Sequence, residues 1–116
     1  MTQAELIKKL KNNPQQVSFD ETMKVITHYY DFRPTSFNNG VVFNPAGSNE
    51  GSCKIFAFAK LNILSDEQTL ACFGDYYRVD VLQHPENDDH ANIRQFIITG
   101  LKGIRFEREP LEPTQV

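Results

Sequence analysis

The chain has 116 residues, 40% of them hydrophobic and 11% aromatic, with a formal net charge of -3. That length fits one domain, which buries roughly two-thirds of its unfolded surface, and the apolar content excludes a disordered chain. A pI near 5.5 without a basic stripe excludes a duplex nucleic-acid binder, and two cysteines exclude a dense disulfide framework.

No apolar run approaches the ~20 residues of a membrane span, and no basic-then-apolar leader opens the chain, so a cytoplasmic protein with reduced thiols is expected. Thr2-Gln3-Ala4-Glu5 is a capping box, followed by Leu6, Ile7 and Leu10 at helical spacing until Asn12-Asn13-Pro14. Ser18-Phe19-Asp20-Glu21 repeats the box, and Phe19, Met23, Ile26 and Tyr30 form the stripe of a helix from Phe19 to about Tyr29. Pro34 biases Arg33 away from helix, and Asn39-Gly40 between Thr35-Ser36-Phe37 and Val41-Val42-Phe43 predicts a small hairpin.

The loop Asn44 to Ser52 then runs into the apolar segment Cys53 to Leu64, read as the central buried helix, with Ser48, Asn49 or Ser52 as its cap. Ser65-Asp66-Glu67-Gln68 is a third box. It opens a segment with Leu70, Phe73, Tyr77 and Val81 facing inward, while Cys72, Tyr76 and Val79 broaden its apolar side. Gly74 within it either permits close packing or divides it into two turns. Ile93, Phe96, Ile97 and Leu101 give the last stripe, Gly100 and Gly103 stop it, and residues 107–116 read as a flexible tail. The fold class is mainly α, α+β at most: one compact domain over residues 1–116, with about five helices and the one hairpin around Asn39-Gly40.

The run Phe43-Asn44-Pro45-Ala46-Gly47-Ser48-Asn49-Glu50-Gly51-Ser52-Cys53-Lys54-Ile55-Phe56-Ala57-Phe58-Ala59, followed by Thr69-Leu70-Ala71-Cys72-Phe73-Gly74-Asp75-Tyr76-Tyr77-Arg78, resembles the HopJ family of type III effector proteins. Phe19-Asp20-Glu21-Thr22, His28-Tyr29-Tyr30-Asp31-Phe32, Asp89-His90-Ala91-Asn92-Ile93-Arg94 and Gly103-Ile104 follow in the family's order. The resemblance implies a family named for proteins delivered into host cells by plant pathogens, with similar proteins in free-living bacteria. It transfers no catalytic residue. Type III signals are typically flexible and serine-rich, whereas a capped helix starts at Thr2 and no Ser precedes Ser18, which favours a resident cytoplasmic role.

Several residue groups offer chemistry. Gly47, Ser48, Gly51, Ser52 and Lys54 surround a helix N-terminus that favours anions, but the spacing is not that of a Walker loop, Glu50 repels phosphate, and capping is the simpler reading. Cys53 in the first helical turn is a candidate nucleophile with His28, His84 or His90 as base, against the simpler reading of a packed thiol. His84, Glu86, Asp88, Asp89 and His90 have metal-binding atoms, while Asp88 or Asp89 as a cap of the last helix needs no metal.

Tyr76 or Tyr77, beside Asp75 and Arg78, is the candidate recognition patch. Asn44, Asn49 and Glu50 gain a function if they share a pocket with Asp75 or His90. The candidate binding residues are therefore Asn44, Asn49, Glu50, Asp75, Tyr76, Tyr77, Arg78 and His90, with no catalytic residue, metal ligand or cofactor assigned. The leading function is a small non-catalytic module for an unknown protein partner or small ligand, with neither nucleic acid nor membrane as partner. A small enzyme using Cys53 or a carboxylate/His site, or a metal-binding protein, is the alternative.

Overall fold

The computed structural model describes residues 1–114. Helices α1 (Gln3–Asn12), α2 (Phe19–Tyr29) and α4 (Asp66–Ala71) each open on the capping box read from the sequence, at Thr2, Ser18 and Ser65. In α1 the Thr2 hydroxyl accepts from the Glu5 amide at 3.0 Å, and the Glu5 carboxylate accepts from the Thr2 amide at 2.8 Å. Lys9 Nζ donates to Glu21 Oε1 at 2.8 Å and joins α1 to α2, and this hydrogen bond holds the Glu21 carboxyl below its ordinary range.

Helix α3 (Glu50–Leu61) is the centre of the core. Ile55, Phe56, Ala57, Phe58 and Ala59 are all fully buried, so the helix is covered on every side over this stretch. Phe56 stacks on Phe96 with centroids 5.0 Å apart and also meets Phe37 and Phe73, while Phe58 meets Tyr30 edge-on. The helix starts three residues earlier than the apolar run, at Glu50, because Asn49 O accepts the Cys53 amide at 3.0 Å.

Among the described residues five short strands flank this core. Strands β1 (Tyr30–Phe32) and β5 (Leu111–Pro113) pair antiparallel, and β2 (Phe37–Asn39), β3 (Val42–Asn44) and β4 (Ile104–Phe106) form an antiparallel sheet in the order β3-β2-β4. The hairpin exists, but its turn is Gly40-Val41 rather than Asn39-Gly40: Asn39 pairs with Val42, and Gly40 takes φ 55°. A buried partner for the Asn39 side chain, absent from any local pattern, moves the turn by one residue. The tail expected to be flexible from Glu107 is instead tied down. Glu107 N donates to Ser36 O, Thr114 N donates to Tyr29 O, and Leu111 is buried in β5. Residues 115 and 116 of that expected tail lie outside the described residues.

The segment after α4 does not continue as one helix. Gly74 takes φ 59°, and a Cβ there would lie 2.7 Å from the Phe19 backbone nitrogen, so the glycine both divides the segment and admits the start of α2. Beyond it Tyr76–Val81 form a π-helix. Leu70, Phe73 and Val81 are buried as expected, whereas Tyr76 and Val79, expected on the apolar side, are exposed. Helix α5 (Ala91–Thr99) ends at Gly100, with Ile93 and Phe96 buried but Ile97 exposed, contrary to the expected stripe. Among the described residues no helix is long and apolar enough to cross a membrane.

Candidate functional site

Helices α3 and α5 open without a side-chain cap, unlike α1, α2 and α4. The N-cap residues Asn49 and His90 both take left-handed backbone, at φ 51° and 52°. None of the expected caps is used. Asn49 Nδ2 donates to Asn44 Oδ1 at 2.7 Å, Ser48 Oγ donates to Pro45 O at 2.7 Å, and Asp89 engages Arg94. The first-turn N–H groups of both helices are thus left without a side-chain acceptor among the described residues.

Both first turns line one cleft of about 400 Å³, α3 through Gly51 and Ser52 and α5 through Ala91 and Asn92. Its floor is an asparagine cluster. Asn92 Nδ2 donates to Asn44 Oδ1 at 2.9 Å, and Asn44 Nδ2 returns a bond to Asn92 Oδ1 at 3.1 Å. Asn39 Nδ2 donates from behind to the Asn92 carbonyl at 2.9 Å and to its Oδ1 at 3.1 Å. These bonds fix the side-chain amides of three buried residues, so the floor is rigid as well as polar.

An aromatic wall stands over the floor. Tyr76 meets Phe19 edge-on at 5.0 Å and lies 5.2 Å from the His90 ring, and Phe43 completes the rim, exposed at 60%. His90 Nε2 lies 2.9 Å from Asp80 Oδ2 and 3.9 Å from Asp89 Oδ2. Arg94 Nη2 donates to Asp89 Oδ1 at 2.6 Å, which holds the Asp89 carboxyl below its usual range.

Of the candidate binding residues read from sequence, Asn44, Asn49, Tyr76 and His90 share this cleft, joined by Gly51 and Ser52 of the anion-favouring helix start. Asp75 and Arg78 line an adjoining shallow pocket with Tyr76, Phe19 and Phe73, whereas Glu50 and Tyr77 line neither. Tyr77 packs against the core. Arg78 is a staple: it donates to Val17 O at 2.6 Å and Pro14 O at 3.3 Å, so its guanidinium is not a free anchor.

Cys53 is buried, and burial, followed by the charge of Glu50, pushes its thiol up to about 12, the reverse of helix-terminus activation. Of the acidic and histidine loop, Asp89 and His90 converge with Asp80, while His84, Glu86 and Asp88 do not. Sequence reasoning missed Asn92, Asn39, Asp80 and Phe19 as site residues. An Asn in a helical first turn is a visible signal; the placing of Asp80 depends on the π-helix and is not.

A small α+β domain with a rigid polar cleft between two uncapped helix N-termini is the class that fold and site define. Residues 3–111 match the family model described as HopJ type III effector protein, and the chain belongs to that family. The chain is also similar to the crystal structure of the unknown-function protein VPA0580, with 51% identity and a TM-score of 0.96 over 98% of this chain and 95% of that one. No curated protein matches the chain.

Proposed function

We propose that this chain is a small binding module that holds an anionic group, carboxylate or phosphate, in the cleft between the N-terminal ends of α3 and α5. The observation that carries the reading is that both helices lack a side-chain cap and both present their first turns to the same cleft. Each helix end contributes free N–H donors and about half a positive charge, and two ends acting on one space reinforce each other. Glu50, the charge that weighed against an anion in the sequence, does not line the cleft. The aromatic wall of Phe19, Phe43 and Tyr76 fits a ligand with a flat or apolar portion beside its anionic group.

The test is an amide NMR titration of the purified chain with inorganic phosphate and with citrate. Saturable shifts centred on Gly51, Ser52, Ala91 and Asn92 are expected from at least one probe. Shifts spread over surface lysines, or none at millimolar probe, overturn the reading. A protein partner is the second reading, favoured by the exposure of Phe43 and Tyr76 on the same rim. It predicts that Phe43→Ala with Tyr76→Ala removes a specific partner recovered at physiological salt.

A further inference from the structure

His90, which lines the cleft, also belongs to a second constellation that does not depend on the anion reading. Asp80, Asp89 and His90 each offer one ligand atom, and these atoms all lie within 4.8 Å of one another. The π-helix brings Asp80, and the loop before α5 brings Asp89 and His90.

Bond lengths of roughly 2.0–2.2 Å to a first-row divalent ion separate neighbouring donor atoms by roughly 3–3.5 Å. The observed separations of 2.9 Å (Asp80 to His90) and 3.9 Å (Asp89 to His90) bracket that range. The third pair, Asp80 to Asp89, lies within 4.8 Å, so the two carboxylates draw together around a shared ion.

Arg94 positions the acids without occupying the atom that faces His90. Its Nη2 takes Asp89 Oδ1 at 2.6 Å and the Asp80 carbonyl at 3.3 Å, its Nε takes the Asp89 carbonyl at 2.6 Å, and Asp89 Oδ2 is left toward the imidazole. Side-chain exposures of 43% for Asp80, 48% for Asp89 and 29% for His90 leave a metal's remaining positions to water or to a ligand in the cleft.

We propose that Asp80, Asp89 and His90 form a three-ligand site for a divalent first-row transition ion, adjoining the cleft through His90. One imidazole with two carboxylates suits Zn²⁺, Mn²⁺ or Fe²⁺ and is too short of oxygens for Ca²⁺, which takes six to eight. The competing account is a structural Asp80–His90 hydrogen bond that needs no ion.

Calorimetric titration of the chelator-treated, tag-free full chain with Zn²⁺ and then with Mn²⁺ separates the two accounts. One ion per chain is expected from at least one metal, with affinity reduced tenfold or more in Asp80→Asn, Asp89→Asn and His90→Gln. The control His84→Ala, outside the cluster, is expected to bind as the parent does. Near-UV circular dichroism confirms that each variant is folded, and Asp80→Asn keeps the side-chain shape if another fails that check. Absence of saturable binding by the parent, or equal binding by folded Asp80→Asn, overturns the site. Phosphate and citrate are titrated without metal, so failure of one proposal is distinguishable from failure of the other.

Discussion

Ile63 takes φ 53° with its side chain 90% exposed, a conformation that β-branched residues resist. It stands at the first position past the C-cap of α3, in a turn closed by Leu64 N to Ala59 O at 2.9 Å and Ile63 N to Lys60 O at 3.4 Å. That pair of bonds is the Schellman pattern, which ordinarily places glycine where Ile63 stands. Ile63→Gly is therefore expected to stabilise the protein by about 1 kcal/mol, because strain is released and little burial is lost. A thermal melt raised by several degrees checks this; a lowered one counts against it. Asn49 and His90 show the opposite use of the same backbone region. Their left-handed turns coincide with the absence of capping bonds at the two helix starts that line the cleft. The sequence offered both residues as candidates, with Asn44 beside Asn49, but Asp80, the partner of His90, is placed by the π-helix.

At the scale of elements, the three capping boxes were legible because each closes within four residues and owes nothing to distant chain. The break between α4 and the π-helix was legible only as a glycine out of place. Its reason is the approach of Gly74 to Phe19 N and to the Ser18 backbone, which no local pattern announces. Gly74→Ala is expected to cost roughly 2–4 kcal/mol, from the strained backbone and the clash with backbone atoms that cannot swing aside. Gly47, at φ 88° with open space around it, provides the comparison: Gly47→Ala pays only the conformational cost, about 1 kcal/mol. Urea unfolding of the two variants checks the order, and equal midpoints contradict the packing account. The π-helix itself has a residue period different from the 3.6 that apolar stripes reveal. Tyr76 and Val79 therefore came out exposed, and Asp80 came to face His90.

For the molecule as a whole, the C-terminal strand decides how the ends are held. Strand β5 pairs Leu111 with Phe32 and Pro113 with Tyr30, and Leu111 is buried at 1% exposure. Leu111→Ala is expected to cost about 2–5 kcal/mol, the range for truncating a buried leucine. Urea unfolding measures it, and a change below about 0.5 kcal/mol, as for a surface substitution, contradicts a structural tail. Strands of three residues carry no readable alternation, and a segment with two prolines reads as loose until its partner strand is known.

The sequence by itself determined the helix starts at Thr2, Ser18 and Ser65, the buried character of the central helix and the family signature around it. Local hydrogen bonding and apolar composition are properties of contiguous residues. Only the tertiary structure decided that Asn39, Asn44 and Asn92 form one rigid floor, that two uncapped helix ends line one cleft, and that Asp80 meets Asp89 and His90. Each of these rests on partners brought together by chain packing, and beyond the neighbours Asp89 and His90 the spacing along the sequence carries no trace of it.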